Sequence, residues 1–76
     1  MEKSLSEVKV GDICVVKFVS GEGRYRRRLL DMGLTPGIEI YIRKVAPLGD
    51  PIEITLRGYE LTLRRDECKL IKVEVK

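Results

Sequence analysis

The chain has 76 residues, with 15 Lys and Arg against 12 Asp and Glu and a formal net charge of +3. This length predicts a single domain over residues 1–76, because domains usually hold about 50 to 250 residues. Three excess positive charges do not indicate nucleic-acid binding without local clustering, the N-terminus lacks a secretory signal, and no apolar run approaches the ~20 residues that span a bilayer. We therefore expect a globular, cytoplasmic domain that does not insert into a membrane.

Two elements are predicted in the first twenty residues. Ser4 followed by Glu7 is a capping-box pattern and predicts a short helical turn. Residues 13–19, ICVVKFV, are rich in β-branched side chains and predict a strand. One face of this strand should carry Cys14, Val16 and Phe18, and the other Ile13, Val15 and Val19.

A flexible loop at 20–23 leads into a helix predicted over 24–32. Tyr25, Leu29 and Met32 follow one another at spacings of four and three residues. This spacing places the three side chains on one apolar stripe of the helix. The helix should therefore pack that stripe against the rest of the domain.

The segment MGLTPG at 32–37 predicts a helix end that joins a strand directly. Gly33 can take the left-handed conformation that follows a helix, and Leu34 then folds back onto the last helical turn. Pro36 and Gly37 suit the second and third positions of a type II turn. Gly33, Pro36 and Gly37 are therefore expected to have structural roles.

The rest of the chain alternates apolar and polar residues, which predicts four further strands. Their apolar faces are Ile38, Ile40 and Ile42; Ile52, Ile54 and Leu56; Tyr59, Leu61 and Leu63; and Ile71, Val73 and Val75. A rigid loop at 46–51, a tight hairpin turn at Arg57-Gly58 and one helical turn at 65–68 connect them. Five strands and one short helix indicate an all-β fold in the form of a small barrel. An SH3-like barrel is the most economical arrangement, and a five-stranded OB barrel is the alternative.

The only basic cluster is RYRRR at 24–28. It is a solvated helix face, a protein contact, or a phosphate-binding site for nucleic acid. Interleaved aromatic residues would favour nucleic acid, but Tyr25 belongs to the apolar stripe. Because arginines near a helix N-terminus oppose the helix dipole, we expect a compensating partner such as Glu22 or Asp31. Arg27 and Asp31, one turn apart, are able to pair.

Large aliphatic residues are unusually frequent on this helix and in the loops near it: Leu29, Leu30, Met32, Leu34 and Leu48. Either all of them fill the barrel, or some form an exposed apolar patch that marks a binding site. Methionine suits an adaptable interface. If Met32 is exposed, Met32→Asp should abolish partner binding and leave thermal stability nearly unchanged.

Catalysis and metal binding have little support in the sequence. There is no histidine, so Ser4, Ser6 and Ser20 have no histidine base. Cys14 and Cys68 lack the short spacing of metal sites and should be small buried hydrophobes. We expect a protein that is not an enzyme, with no cofactor and no metal site.

Three segments carry a resemblance to a known family: LLDMGLTPGI at 29–38, APLGDPIEI at 46–54 and RGYxLxLRRxE at 57–67. In this order they resemble the FeoA family of small ferrous-iron-transport accessory proteins along nearly the whole chain. The resemblance implies an SH3-like barrel of about five to six strands, with one short helix inserted after the first strand. Gly58 then has a structural role in the hairpin turn.

The resemblance also implies a partner. FeoA-like proteins are cytosolic partners of FeoB, a membrane ferrous-iron permease that carries a cytoplasmic G-protein domain. Similar domains occur at the C-termini of iron- or manganese-responsive transcriptional regulators, where they act as interaction modules. The implied role is support or regulation of ferrous iron uptake through protein contact.

A docking surface follows as a hypothesis. Its apolar members would be Leu29, Met32, Leu34, Pro47, Leu48 and Gly49, with Arg24 and Arg28 setting the orientation by charge. Two alternatives stay open: a nucleic-acid-binding barrel that uses Arg24–Arg28, and a homo-oligomer that pairs the same apolar edge about a two-fold axis.

Overall fold

Six β-strands, two α-helices and one 3-10 turn make up the fold, and the computed structural model describes all residues 1–76. In chain order they are β1 (Glu2–Ser4), the 3-10 turn (Leu5–Glu7), β2 (Ile13–Val19), α1 (Gly23–Asp31), β3 (Glu39–Val45), β4 (Ile52–Leu56), β5 (Tyr59–Leu63), α2 (Arg65–Cys68) and β6 (Ile71–Val75). The strands form one antiparallel sheet in the spatial order β1-β6-β2-β3-β4-β5. The mainly β fold class and all five predicted strands are confirmed.

Strand β1 was missing from the sequence prediction. It pairs antiparallel with β6, with Glu2 opposite Glu74 and Ser4 opposite Lys72. The three residues EKS contain no β-branched or aromatic side chain, so propensity gives no strand signal there. The strand forms because β6 has a free edge with which it pairs. The strand over 13–19, predicted as the first, is therefore the second, and α1 follows it.

The core is a single cluster of 17 buried side chains, none of them polar or charged. Strands β3 and β4 supply its centre by the predicted alternation: Ile40, Ile42, Ile52, Ile54 and Leu56 are at most 1% exposed. Burying one such side chain stabilises a fold by about 1.5–3 kcal/mol. The inward faces of these two strands are therefore confirmed, and they account for much of the stability of the sheet.

The predicted faces of β2 are wrong beyond Val16. The register with β6 shifts between Val16, which lies opposite Val73, and Phe18, which lies opposite Lys72. Such a bulge places two residues opposite one and reverses the side to which the following side chains point. Phe18 is therefore 48% exposed, and Val19 is buried in its place.

Helix α1 ends in a Schellman motif. The Gly33 N–H donates to the Leu30 carbonyl at 3.0 Å, and the Leu34 N–H donates to the Leu29 carbonyl at 3.2 Å. Gly33 has a φ of +101°, which only glycine adopts without strain. Leu29 and Leu34 are both buried in the core. The predicted helix end is confirmed, and its closure packs the last turn of α1 onto the sheet.

The turn that follows is tied to β2. The Ile38 N–H donates to the Thr35 carbonyl at 3.1 Å, and Gly37 has a φ of +93°, as a type II turn requires. The Gly37 N–H donates to the Val16 carbonyl at 2.7 Å, and the Val16 N–H donates to the Ile38 carbonyl at 2.9 Å. The path from α1 to β3 is therefore fixed at both ends.

Replacing Gly33 by alanine is expected to lower the free energy of unfolding by about 2–3 kcal/mol. A Cβ at this position would lie 2.7 Å from Tyr59 Oη, which donates a hydrogen bond to the Met32 carbonyl. Alanine would therefore strain the backbone and displace that hydrogen bond. Urea unfolding of the purified variant measures the loss.

Gly37→Ala is the matched control. Gly37 also has a positive φ, but a Cβ at this position would meet no heavy atom within 4 Å. We expect a loss of only about 1 kcal/mol, from backbone strain alone. Equal losses in the two variants would show that the Tyr59 contact does not help to hold the end of α1.

Candidate functional site

Helix α1 places four arginines at the surface, and the fold engages two of them. Arg26 Nε donates to the Val19 carbonyl at 3.1 Å, and Arg28 Nη1 lies 3.6 Å from Glu67 Oε2. Arg24 and Arg27 form no ion pair and border a shallow hollow beside the start of the helix. An exposed ion pair contributes only about 0–1 kcal/mol, but Arg28–Glu67 links α1 to α2.

The compensating partners expected for these arginines are not used. Glu22 precedes α1 without making a side-chain capping hydrogen bond. Asp31 forms no ion pair with Arg27, so the pairing considered from sequence is absent. The first turn of α1 contains no acidic residue. The N-terminal end of the helix therefore combines arginines with the positive end of the helix dipole and forms a strongly basic surface.

The predicted apolar stripe of α1 is divided between core and surface. Leu29 and Leu34 are fully buried, so the hypothesis that they line a docking surface is wrong: the Schellman closure places both inside the core. Leu30 and Met32 are half-buried and pack against the core. Tyr25 is 62% exposed, because only the C-terminal part of α1 reaches the core.

Leu48 lies in solvent, unlike the buried Leu29 and Leu34. Its side chain is 88% exposed, although it is a large aliphatic residue, and the core cluster is complete without it. The Gly49 N–H donates to the Ala46 carbonyl at 2.7 Å, and Asp50 Oδ1 accepts from the Arg65 N–H at 3.1 Å. The loop at 46–51 is thus held in place at its turn and against α2, and it presents Leu48 to solvent.

Helix α2 connects this loop to α1. Its first residue, Arg65, is bonded to the loop, and a Cβ on Gly49 would lie 3.8 Å from Arg65 Nη1. Glu67 accepts the Arg64 N–H through Oε1 at 3.0 Å and faces Arg28 through Oε2. The loop, α2 and the middle of α1 therefore lie side by side. We call this region the docking face and define it by Tyr25, Arg28, Leu48, Arg65, Asp66, Glu67 and Leu70.

A shallow pocket of about 180 Å³ lies on the docking face between the two helices. Its lining consists of Tyr25, Asp66, Glu67 and Leu70. None of these residues is predicted as a site residue from the sequence, except that Tyr25 lies within the basic run. Only the fold brings them together, because they come from segments some forty positions apart and no local motif connects them.

Cys14 and Cys68 are both fully buried, as predicted. Burial raises the pKa of both thiols, and for Cys68 burial together with the negative charges of Glu67 and Asp50 raises the pKa to about 12. Among all residues there is no group of three or more His, Cys, Asp and Glu side chains arranged to hold a metal ion. Neither α1 nor α2 has the length and apolar composition of a membrane-spanning helix.

The fold is a small, mainly β domain, and comparison with known proteins gives its class as SH3-like, in preference to the OB barrel. A FeoA domain model matches residues 3–75, and the chain belongs to the FeoA family. The solution structure of a FeoA-like protein from Clostridium acetobutylicum is 46% identical, with a TM-score of 0.89 over 97% of this chain and 86% of that one. Stenotrophomonas maltophilia FeoA, solved with zinc and described as a prokaryotic SH3 domain protein, is 27% identical, with a TM-score of 0.79 over 97% of this chain and 89% of that one.

A third relative is a fusion protein. The Fe(2+) transport protein A/Fe(2+) transporter FeoB fusion protein of Porphyromonas gingivalis is 39% identical over 71 residues, which is 93% of this chain. The chain spans only 8% of the length of that protein. In this relative, a domain similar to the present chain is therefore covalently joined to a ferrous iron transporter.

Raising the pH is expected to destabilise the protein through Cys68. The folded-state pKa of about 12 lies above the ordinary value of 9.0, so the folded protein holds this proton more tightly than the unfolded chain does. The stability that the protonated Cys68 thiol contributes is fully present below pH 9 and is lost as the pH rises from 9 towards 12. Urea unfolding at several pH values in this interval should show a steeper decline for the native sequence than for Cys68→Ala. Parallel declines would contradict the assignment.

Proposed function

We propose that the protein is an accessory protein of ferrous iron uptake that acts on the cytoplasmic side by contacting a FeoB-type permease. The observation that carries the proposal is Leu48, a large aliphatic side chain that a hydrogen-bonded loop holds 88% exposed. Family membership supports the connection with ferrous iron transport, and the Porphyromonas gingivalis fusion supports the choice of partner.

The docking face has the composition of a protein-binding surface. Protein interfaces usually combine an apolar anchor at the centre with a polar or charged rim. Leu48 is the anchor, and Pro47 beside it is also exposed. Arg65, in α2, and Arg28, in α1, provide charges that orient a partner. Arg24 adds positive charge at the start of α1 and acts at longer range.

Contact rather than catalysis is the proposed mode of action. The chain contains no histidine, and the hydroxyls of Ser4 and Ser20 are used structurally, donating to the carbonyls of Cys68 and Leu70 at 3.2 and 2.9 Å. Both cysteines are buried with raised pKa values, so neither is an activated thiolate. These observations support a protein that influences the permease by binding to it.

Nucleic-acid binding through Arg24–Arg28 receives less support. Arg26 and Arg28 are engaged with the Val19 carbonyl and Glu67, which leaves two unpaired arginines for phosphate contacts. Tyr25 is exposed, but it faces the acidic pocket between α1 and α2. No observation favours this function over a protein contact.

Leu48→Asp is expected to weaken binding to the permease by about 2 kcal/mol or more, because it removes an apolar anchor and places a charge in the interface. The thermal midpoint should not fall, because the side chain contributes nothing to the core. Calorimetric titration with the cognate FeoB-type permease in detergent measures the binding, and its isolated G-protein domain shows whether that part is sufficient. Met32→Asp and Leu34→Asp are unsuitable, because both side chains pack in or against the core.

Val10→Asp is the matched control for this experiment. Val10 is 58% exposed and lies before β2, outside the docking face. The Val10→Asp variant should bind the permease with the same affinity as the native protein. Unchanged binding by Leu48→Asp, or no binding by the native protein to the whole permease, would overturn the proposal. A shift in light scattering by the protein alone that Leu48→Asp removes would indicate self-association as the use of this face.

A further inference from the structure

We propose that the pocket between α1 and α2 binds the side chain of an arginine or lysine that the partner presents to the docking face. This inference rests on the proposed function, because it names the chemistry of the partner at that same surface. Its grounds are the shape of the pocket, its apolar walls and the state of the acidic side chains at its rim.

The walls of the pocket are apolar and one of them is fixed. Leu70 is half-buried against the core. Its carbonyl accepts hydrogen bonds from the Ser20 N–H at 2.7 Å and from Ser20 Oγ at 2.9 Å. A Cβ on Gly21 would lie 3.2 Å from Leu70 Cδ1, so the loop before α1 closes tightly over this side chain. Tyr25 forms the facing wall and leaves 62% of its surface exposed.

The acidic rim has unused capacity to accept hydrogen bonds. Asp66 is 96% exposed in its side chain and accepts no hydrogen bond, and its nearest cation is Lys69 Nζ at 3.9 Å. Glu67 uses Oε1 to accept the Arg64 N–H, while its Oε2 lies 3.6 Å from Arg28, beyond hydrogen-bond distance. Each carboxylate therefore takes part in one exposed or partly exposed ion pair, with Lys69 or with Arg28, and keeps oxygens that accept no hydrogen bond. Both would repel an anion and attract a cation.

An arginine or lysine side chain has an apolar stem and a cationic head, which match the apolar walls and the acidic rim of the pocket. Its aliphatic stem would pack on Leu70, its cationic head would lie over the ring of Tyr25, and its N–H groups would reach the Asp66 carboxylate. The volume of about 180 Å³ is below the ~300–1,000 Å³ that is usual for small-molecule sites, which favours one long side chain over a cofactor.

The position of the pocket also fits a protein partner. Asp66 follows Arg65, whose N–H is bonded to Asp50 in the loop that carries Leu48. A partner whose apolar surface covers Leu48 therefore has the pocket directly beside it. Leu48 and the pocket would then be the apolar and the charged anchor of one contact.

A titration with single amino-acid derivatives tests the pocket without the permease. N-acetyl-arginine amide should produce saturable, millimolar shifts in the amide NMR signals of Tyr25, Asp66, Glu67 and Leu70. N-acetyl-citrulline amide, which has nearly the same shape without the charge, should bind about tenfold more weakly. Equal responses to the two compounds, or shifts spread evenly over the surface, would overturn the proposal.

Two variants and a control test whether Asp66 and Tyr25 bind the arginine derivative. Asp66→Asn and Tyr25→Ala should each weaken arginine binding several-fold and leave the remaining signals in place, because both side chains are exposed. Asp31→Asn is the matched control, since Asp31 is an exposed acid on α1 that does not line the pocket. An effect of Asp31→Asn as large as that of Asp66→Asn would indicate general electrostatic attraction and would overturn the site.

Titration with the permease separates this inference from the proposed function. Asp66→Asn should weaken permease binding about tenfold. If Leu48→Asp removes binding while Asp66→Asn leaves it unchanged, the docking face stands and the pocket is overturned as an anchor. If the native protein does not bind the permease, the proposed function fails, and with it this inference about the partner, even where the pocket binds free arginine.

Discussion

The exposed surface of this protein depends on one packing contact, in which the C-terminal turn of α1 is held against the core. A helix of nine residues is too short to be stable in isolation, and α1 carries four arginines and an uncapped N-terminus. Its last turn is held by the two hydrogen bonds of the Schellman motif, by burial of Leu29 and Leu34, and by the hydrogen bond from Tyr59 to the Met32 carbonyl. Because the apolar anchoring is confined to that end and the earlier turns are held only by the hydrogen bond from Arg26 to the Val19 carbonyl, Tyr25 and the arginines remain exposed.

This one-sided attachment explains where a binding surface can form. The core is complete with its buried apolar side chains and uses neither the loop at 46–51 nor the outer side of α2. The exposed half of α1, α2 and that loop are joined to one another by the Arg28–Glu67 pair and by the bond between Arg65 and Asp50. Removing side chains from this face should therefore alter binding with little effect on folding, which is the property that makes the proposed role testable.

Sequence alone predicted the parts of the fold that local patterns determine. The alternation in β3 and β4, the helix end at Gly33 and the turn at Pro36-Gly37 each follow from neighbouring residues. The parts that were missed depend on contacts between distant segments. Strand β1 forms only because β6 pairs with it, and the bulge in β2 that exposes Phe18 is set by its register with β6. Leu29 matched an apolar stripe that could have faced the core or a partner, and the pocket with Asp66 and Leu70 has no local signature.

Hydrogen–deuterium exchange, measured on the protein alone and in complex with the cognate ferrous iron permease, tests whether the docking face is the surface that binds the permease. We expect slower exchange in the complex for amides of the loop at 46–51, α2 and α1, with β1 and β6 unchanged. These two strands carry no residue of the docking face. Protection centred on β1 and β6, or none at the loop and the two helices, would show that the permease does not bind the docking face.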